Sequence, residues 1–279
     1  MLLYQKESLR TLINPIAIGR RLHRHRRLLW QFVLRDIQLQ HKGSMLGLAW
    51  SLISPLLLFG AYAFAFIAIL KGRFGVVPNE TRAEYAIALF LSLALFQLFQ
   101  EAITLAPLVV VQNSNYVKKV VFPLEVLPVA IFGAALFRCL ISLALVIVAT
   151  SIWGTGLSVT AWWFPIIVAM LALLSLGASW TLSALGVFLR DLAPLMQFLS
   201  VVLMFTSGVF YSLDKVPAAF SFLRYNPLWI ILEAGRRVLL WHLAPNMNDL
   251  LYLGMISIGF CLVGNLIFRA LTPAFSDVL

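Results

Sequence analysis

Two opposite charges lie inside membrane-length apolar runs. Glu101 sits in the run from about Tyr85 to Val111, and Arg138 in the run from about Leu124 to Ile152. A charge in hydrocarbon is costly, so each needs a partner or a wet cavity. At about 1.5 Å per helical residue, Glu101 lies roughly 15 Å from the Val111 end and Arg138 roughly 21 Å from the Leu124 end. The runs are consecutive and antiparallel, so the two side chains can meet. They then form a structural ion pair, or they contact cargo or a gate.

A second set is Arg24, Arg27 and Arg35, which recur with Gln31, Gln38 and Lys42 at three- and four-residue steps. Leu29, Trp30, Val33, Leu34 and Ile37 form the opposite face. A helix of this kind lies in the plane of a membrane interface. Its guanidinium forks suit anionic lipid, and equally a phosphate-bearing lipid substrate. A third set, Glu233 with Arg236 and Arg237, has the i, i+3 and i, i+4 spacing of local ion pairs on a short helix. At a pore mouth the same set can hold a gate shut. Phe59, Tyr62 and Phe66 share one helical face, as do Phe198 and Phe205. Such stripes pack or face lipid, or they line a path on which sugars slide.

Other chemistries are missing from the sequence. There is no G-x-x-x-x-G-K-[ST] loop for ATP, and the four histidines (His23, His25, His41 and His242) show no metal-ligand spacing. Cys139 and Cys261 both fall in apolar runs, which suggests neither a disulfide nor a metal site. Gly177-Ala178-Ser179-Trp180 weakly resembles an intramembrane serine protease motif, although small-residue runs are more often helix-packing faces. The net charge of +10 is concentrated before the first apolar run. It reads as membrane orientation and lipid contact, and not as a nucleic-acid surface.

These residues must be positioned by an all-α integral membrane fold. Of the 279 residues, 62% are hydrophobic and 11% charged, well below the roughly 25% charged typical of soluble domains. Six spans are expected, at about Met45–Leu70, Tyr85–Val111, Leu124–Ile152, Phe164–Leu189, Pro194–Leu213 and Leu250–Phe268. Residues 1 to about 20 read as a poorly ordered or peripheral lead-in. A polar break at His41-Lys42-Gly43-Ser44 separates the interface helix from span 1. Asn79-Glu80-Thr81 matches a glycosylation sequon by chance. The segment from Asp214 to Asp249 is too charged to span, yet Val216–Leu223 and Leu228–Leu243 are largely apolar. Two short helices dipping back into the membrane fit it. With both termini inside, inner segments hold 13 of the 21 Lys and Arg residues and outer segments seven, the bias expected for cytoplasmic termini.

Four ordered stretches carry a family resemblance. They are Arg35-Asp36 with Leu46-Gly47-x-x-Trp50 and Pro55; Asn115-x-x-Lys118-Lys119 with Phe122-Pro123 and Pro128; Arg190-Asp191; and Tyr211 and Pro217 followed by Tyr225-Asn226-Pro227-Leu228, Glu233 and Arg236 or Arg237. The set resembles the permease subunit of bacterial type-2 ABC exporters of polysaccharides such as O-antigen, capsular polymer or teichoic acid. It covers about Leu34 to Phe268.

The lead-in and the amphipathic helix occupy 1–44; the resemblance implies that this helix is an interface helix and that a six-span transmembrane domain occupies 45–279. It implies a homodimer with a pore between the subunits, and two copies of a separate ATPase that bind ATP and Mg. No cofactor is expected in this chain. Asn115, Tyr116, Lys118 and Lys119, in a coupling helix at about 113–122, would meet the ATPase together with Arg190 and Asp191. Tyr225, Asn226, Pro227, Glu233, Arg236 and Arg237 would belong to outer gate helices at about 215–243. The cargo would be a glycan linked to undecaprenyl diphosphate, received by Arg24, Arg27 and Arg35. The location would be the bacterial inner membrane. A type-2 permease for a drug or simple lipid, and an intramembrane enzyme, are the competing readings.

Overall fold

The computed structural model describes residues 15–40, 45–69, 71–77, 80–119, 122–154, 156, 158–212 and 216–279. The lead-in before Pro15, the His41–Ser44 break, Leu70, Asn79 of the sequon, the end of the 113–122 turn at residues 120 and 121, and Asp214 lie outside them.

Among the described residues the chain is helical, with no strand. The α-helices are α1 (Pro15–Arg24), α2 (Arg26–Gln40), α3 (Trp50–Ala63), α4 (Arg82–Gln112), α5 (Ser114–Lys119), α6 (Val126–Trp153), α7 (Phe164–Phe188), α8 (Leu192–Thr206), α9 (Pro227–Leu239), α10 (Met247–Leu271) and α11 (Phe275–Val278). Helices α4, α6, α7 (with its lead-in from Val159) and α10 are long and apolar enough to cross a membrane; α3 and α8 are apolar but shorter.

The bundle is built around α4. Its leucines, alanines and phenylalanines surround the whole helix, the pattern of a buried helix, and Tyr85 through Phe96 are all buried apart from Ala86. Helices α3, α6, α7, α8 and α9 pack around it. A capping box starts α4: Thr81 Oγ1 accepts from the Glu84 backbone at 3.2 Å, and Glu84 Oε2 accepts from the Thr81 backbone at 2.8 Å.

Helices α7 and α10 approach backbone to backbone. A Cβ on Gly264 would sit 2.2 Å from the Gly177 carbonyl oxygen, so only glycine permits this crossing. Ser179 is fully buried and donates to the Ala102 carbonyl at 3.2 Å, which ties α7 to α4. His242 Nε2 instead contacts the Gly156 carbonyl oxygen at 3.1 Å. The Gly177–Trp180 run is therefore a packing face, and Ser179 and His242 do not form a catalytic pair.

Three expectations need correction. Residues from Pro15 onward are helical, because Pro15 needs no N–H partner in a first turn and α1 docks through buried Ile18. Arg21 Nη2 donates to Asn265 Oδ1 at 3.3 Å, and its Nε lies 3.6 Å from Glu125 Oε1. The fifth apolar helix ends at Thr206, short of Leu213. Gly208 turns the chain there with φ +67°, and the Trp229 indole occupies the space a Cβ would need, 2.7 Å away. The first apolar helix starts at Trp50, after a short 3-10 turn, and finishes as a π-helix over Phe64–Ile69.

Candidate functional site

Glu101 and Arg138 face each other between α4 and α6. Arg138 Nε donates to Glu101 Oε2 at 2.9 Å and Oε1 at 3.2 Å, and Nη2 donates to Oε2. Arg138 Nη1 donates to Gln40 Oε1 at 2.6 Å, which brings in the end of α2. The two charged side chains are 13% and 18% exposed. A cleft of about 470 Å³ on one side is bordered by Arg35, Asp36, Gln112 and Asn113. A second of about 490 Å³ is bordered by Trp50, Ser51, Ser54 and Gln97. Gln40 and Arg138 border both clefts, and Glu101 borders the second. Gln40 was invisible in the sequence because it lies off the polar stripe that revealed the arginines.

Those arginines separate. Arg24 and Arg27 share an open cleft at the α1–α2 junction, whereas Arg35 belongs to the cleft beside Arg138. The turn at His25 divides the single helix expected from the spacing. Arg35 Nη2 donates to Asp36 Oδ1 at 3.0 Å, and its guanidinium lies 4.3 Å from the Phe32 ring centroid. Burial pushes the Asp36 carboxyl above its ordinary value, against the opposing pull of Arg35 and Arg138.

At the α5 end of the bundle, Asn115, Lys118, Arg190 and Asp191 are exposed. Tyr116 instead packs inward. Its ring lies 4.7 Å from Phe122 and 5.6 Å from Phe32 of α2. That aromatic cluster ties the α5 turn to the interface helix. Lys119 lies at the last position of α5.

At the opposite end, α9 is buried on nearly every face. Its Arg236 is fully buried: Nη1 donates to Ser92 Oγ at 2.9 Å and to the Gly208 carbonyl at 2.8 Å, and Nη2 donates to Glu233 Oε2 at 2.9 Å. Its guanidinium also lies 4.4 Å from the Phe74 ring centroid. The structure thus pairs Glu233 with Arg236, while Arg237 reaches the Ala244 carbonyl at 3.4 Å. Asn226 caps α9, accepting from Leu228 N at 3.0 Å, and its amide donates to the Thr206 carbonyl and to Ser207 Oγ, each at 3.3 Å. Pro227 fills the first helical position. Tyr225 is exposed at the end of the 3-10 helix Ala218–Tyr225.

The aromatic stripes divide as well. Phe59 stacks on Phe90 at 4.7 Å and Phe66 on Phe210 at 4.2 Å, with Tyr62 5.4 Å from Phe210. Phe198 and Phe205 stay exposed on α8, although Phe205 also touches Phe210 at 5.5 Å.

Comparison with known proteins adds the family. A relative from Klebsiella pneumoniae, an O-antigen export system permease protein RfbA, is 29% identical over 255 residues, 88% of this chain and 92% of the relative. A second protein of the same name and organism is 26% identical over 247 residues, again 88% and 92%. One from Myxococcus xanthus is 23% identical over 265 residues, 94% of this chain and 99% of the relative. The family model described as ABC-2 type transporter matches residues 27–240, more than half of the chain. With four helices long and apolar enough to span, this multi-pass membrane protein belongs to the ABC-2 type transporter family.

Proposed function

We propose that the chain is the membrane-spanning subunit of an ATP-driven exporter of lipid-linked, O-antigen-like polysaccharide. The observation that carries this is the match to O-antigen export permeases over 88–94% of the chain. In this reading two copies enclose the pore, and α3 and α8 complete six spans in each. Both termini lie in the cytoplasm of a bacterial inner membrane. The segment 218–239 re-enters from the outer side as the gate. Two separate ATPase subunits hold ATP and Mg, and this chain has no catalytic role. Deleting the chain should remove the polysaccharide from the cell surface and leave lipid-linked polymer inside. Unchanged surface polymer would reject export as its role.

In the same reading the ATPase docks on α5, because Asn115 and Lys118 are exposed, as are Arg190 and Asp191, while Tyr116 packs against Phe32 of α2. Closure of the ATPases then pushes α2 through the Phe32–Tyr116–Phe122 cluster. Juxtaposed like charges cost several kcal/mol at an interface. Lys118→Glu with Lys119→Glu should therefore lower recovery of the ATPase complex at least about tenfold. Normal assembly and ATPase stimulation in the double variant would remove this docking site.

The diphosphate of the cargo would meet arginines on α1 and α2. Their separation in the fold divides the test into two arms, Arg24→Lys with Arg27→Lys, and Arg35→Lys. Lysine keeps the charge but loses the planar fork. Export should fall severalfold in the arm that binds diphosphate, with normal membrane insertion. Full export in both arms leaves the arginines as a lipid anchor.

A further inference from the structure

Past the last long span the chain folds back onto the bundle. Helix α10 runs on through the 3-10 turn Thr272–Ala274 into α11. Thr272 Oγ1 donates to the Phe268 carbonyl at 2.6 Å, and Leu279 N donates to the Phe275 carbonyl at 3.0 Å. A helix of four residues is far too short to hold itself in water, so packing must hold it. The anchor is Phe275, which is fully buried. Its ring lies 5.6 Å from that of Phe268 in α10 and 6.0 Å from that of Phe188, the last residue of α7. The backbone of α11 also packs against α5 and α7.

That position joins two separate surfaces. Helix α5 carries the exposed Asn115 and Lys118, and the turn just beyond Phe188 carries the exposed Arg190 and Asp191. Helix α11 touches the first element directly and the base of the second through Phe188. With Phe275 turned inward, Ser276, Asp277 and Val278 are left exposed. A stable protein–protein interface takes roughly 20–30 residues a side. The six residues of α5 and the short α7–α8 turn fall well below that. A partner bound there must cover adjoining surface as well, and α11 adjoins both.

We propose that α11 is a third docking element for the partner ATPase, continuous with α5 and the α7–α8 turn. The proposal rests on the ATPase docking at α5. Phe275 fixes α11 before the partner arrives, so little ordering is left to do on binding. Asp277 then meets a basic side chain of the ATPase, and Val278 an apolar one. The three elements together present both signs of charge, Lys118 and Arg190 against Asp191 and Asp277. Such a mixed pattern fixes the register of the partner better than a patch of one sign.

The test uses the whole exporter, permease and ATPase together, in its own membrane. A photoreactive benzoyl-phenylalanine replaces Val278, exposed at the end of α11. In a second strain it replaces Lys118 of α5, and in a third Trp162, exposed in the 3-10 helix Val159–Trp163 that packs on α9 at the opposite end. Illumination should join the ATPase to positions 278 and 118 and not to 162. Asp277→Lys, a change at an exposed site, should leave the thermal midpoint of the chain unchanged. It should lower recovery of the ATPase complex severalfold, because it sets a like charge against the partner. An ATPase adduct at 118 with none at 278, a lipid adduct alone at 278, or full recovery of the complex with Asp277→Lys would each overturn the role of α11. If neither 278 nor 118 joins the ATPase, docking at α5 itself fails and α11 falls with it.

Discussion

Arg236→Met is expected to destabilise the protein by about 3–5 kcal/mol, the range for breaking a buried charge network from one side. The cause is the set of acceptors left behind. Arg236 serves the Gly208 carbonyl, Ser92 Oγ and Glu233 at once, and methionine serves none. Glu233 is 26% exposed and can turn toward water. Ser92 and the Gly208 carbonyl cannot, because both residues are fully buried. The loss should therefore come mainly from the junction of α4 with the turn after α8. Arg236→Lys should give an intermediate loss, since one ammonium cannot reproduce a planar fork that also stacks on Phe74. Glu233→Gln should also be costly, because it leaves the fully buried Arg236 without its carboxylate partner. Thermal unfolding in detergent checks the order, and an unchanged midpoint in Arg236→Met would refute the network's role.

How far the sequence revealed this varies with the kind of contact. Helix positions followed from apolar length and period, and α4, α6, α7 and α10 match the expected spans to within a few residues. The depth arithmetic for Glu101 and Arg138 needed only residue counts along two antiparallel spans, α4 and α6. It had no means of finding Gln40, whose partner is 98 residues away. Arg236 was legible as an ion-pair candidate with Glu233. Its hold on Ser92 and the Gly208 carbonyl was not, because neither residue type announces a partner. The early end of α8 depends on Trp229 packing over Gly208, a contact between segments that hydropathy cannot register. The residues from Pro15 onward carry too little apolar periodicity to announce a helix, although proline suits a first helical position.

The second large effect is expected at Glu101 and Arg138. Glu101→Gln and Arg138→Gln should each lower stability, toward the lower end of about 3–5 kcal/mol, because the pair is partly exposed (13% and 18%) and not fully buried. The double variant should recover part of the loss, with a coupling energy of about 0.5–3 kcal/mol. Strictly additive losses would argue against direct contact. Gln40→Ala adds a third arm. Gln40 holds Arg138 from α2, and α2 is also the helix gripped by Tyr116 of α5. If ATPase closure reaches α4 and α6 through α2, Gln40→Ala should uncouple ATP hydrolysis from export while costing only about 1 kcal/mol of stability, the worth of one hydrogen bond. A variant that loses stability and transport in proportion would show that Gln40 only packs the bundle. Transport lost from a protein that is still well folded would place the Glu101–Arg138 pair on the path by which α2 moves the spans.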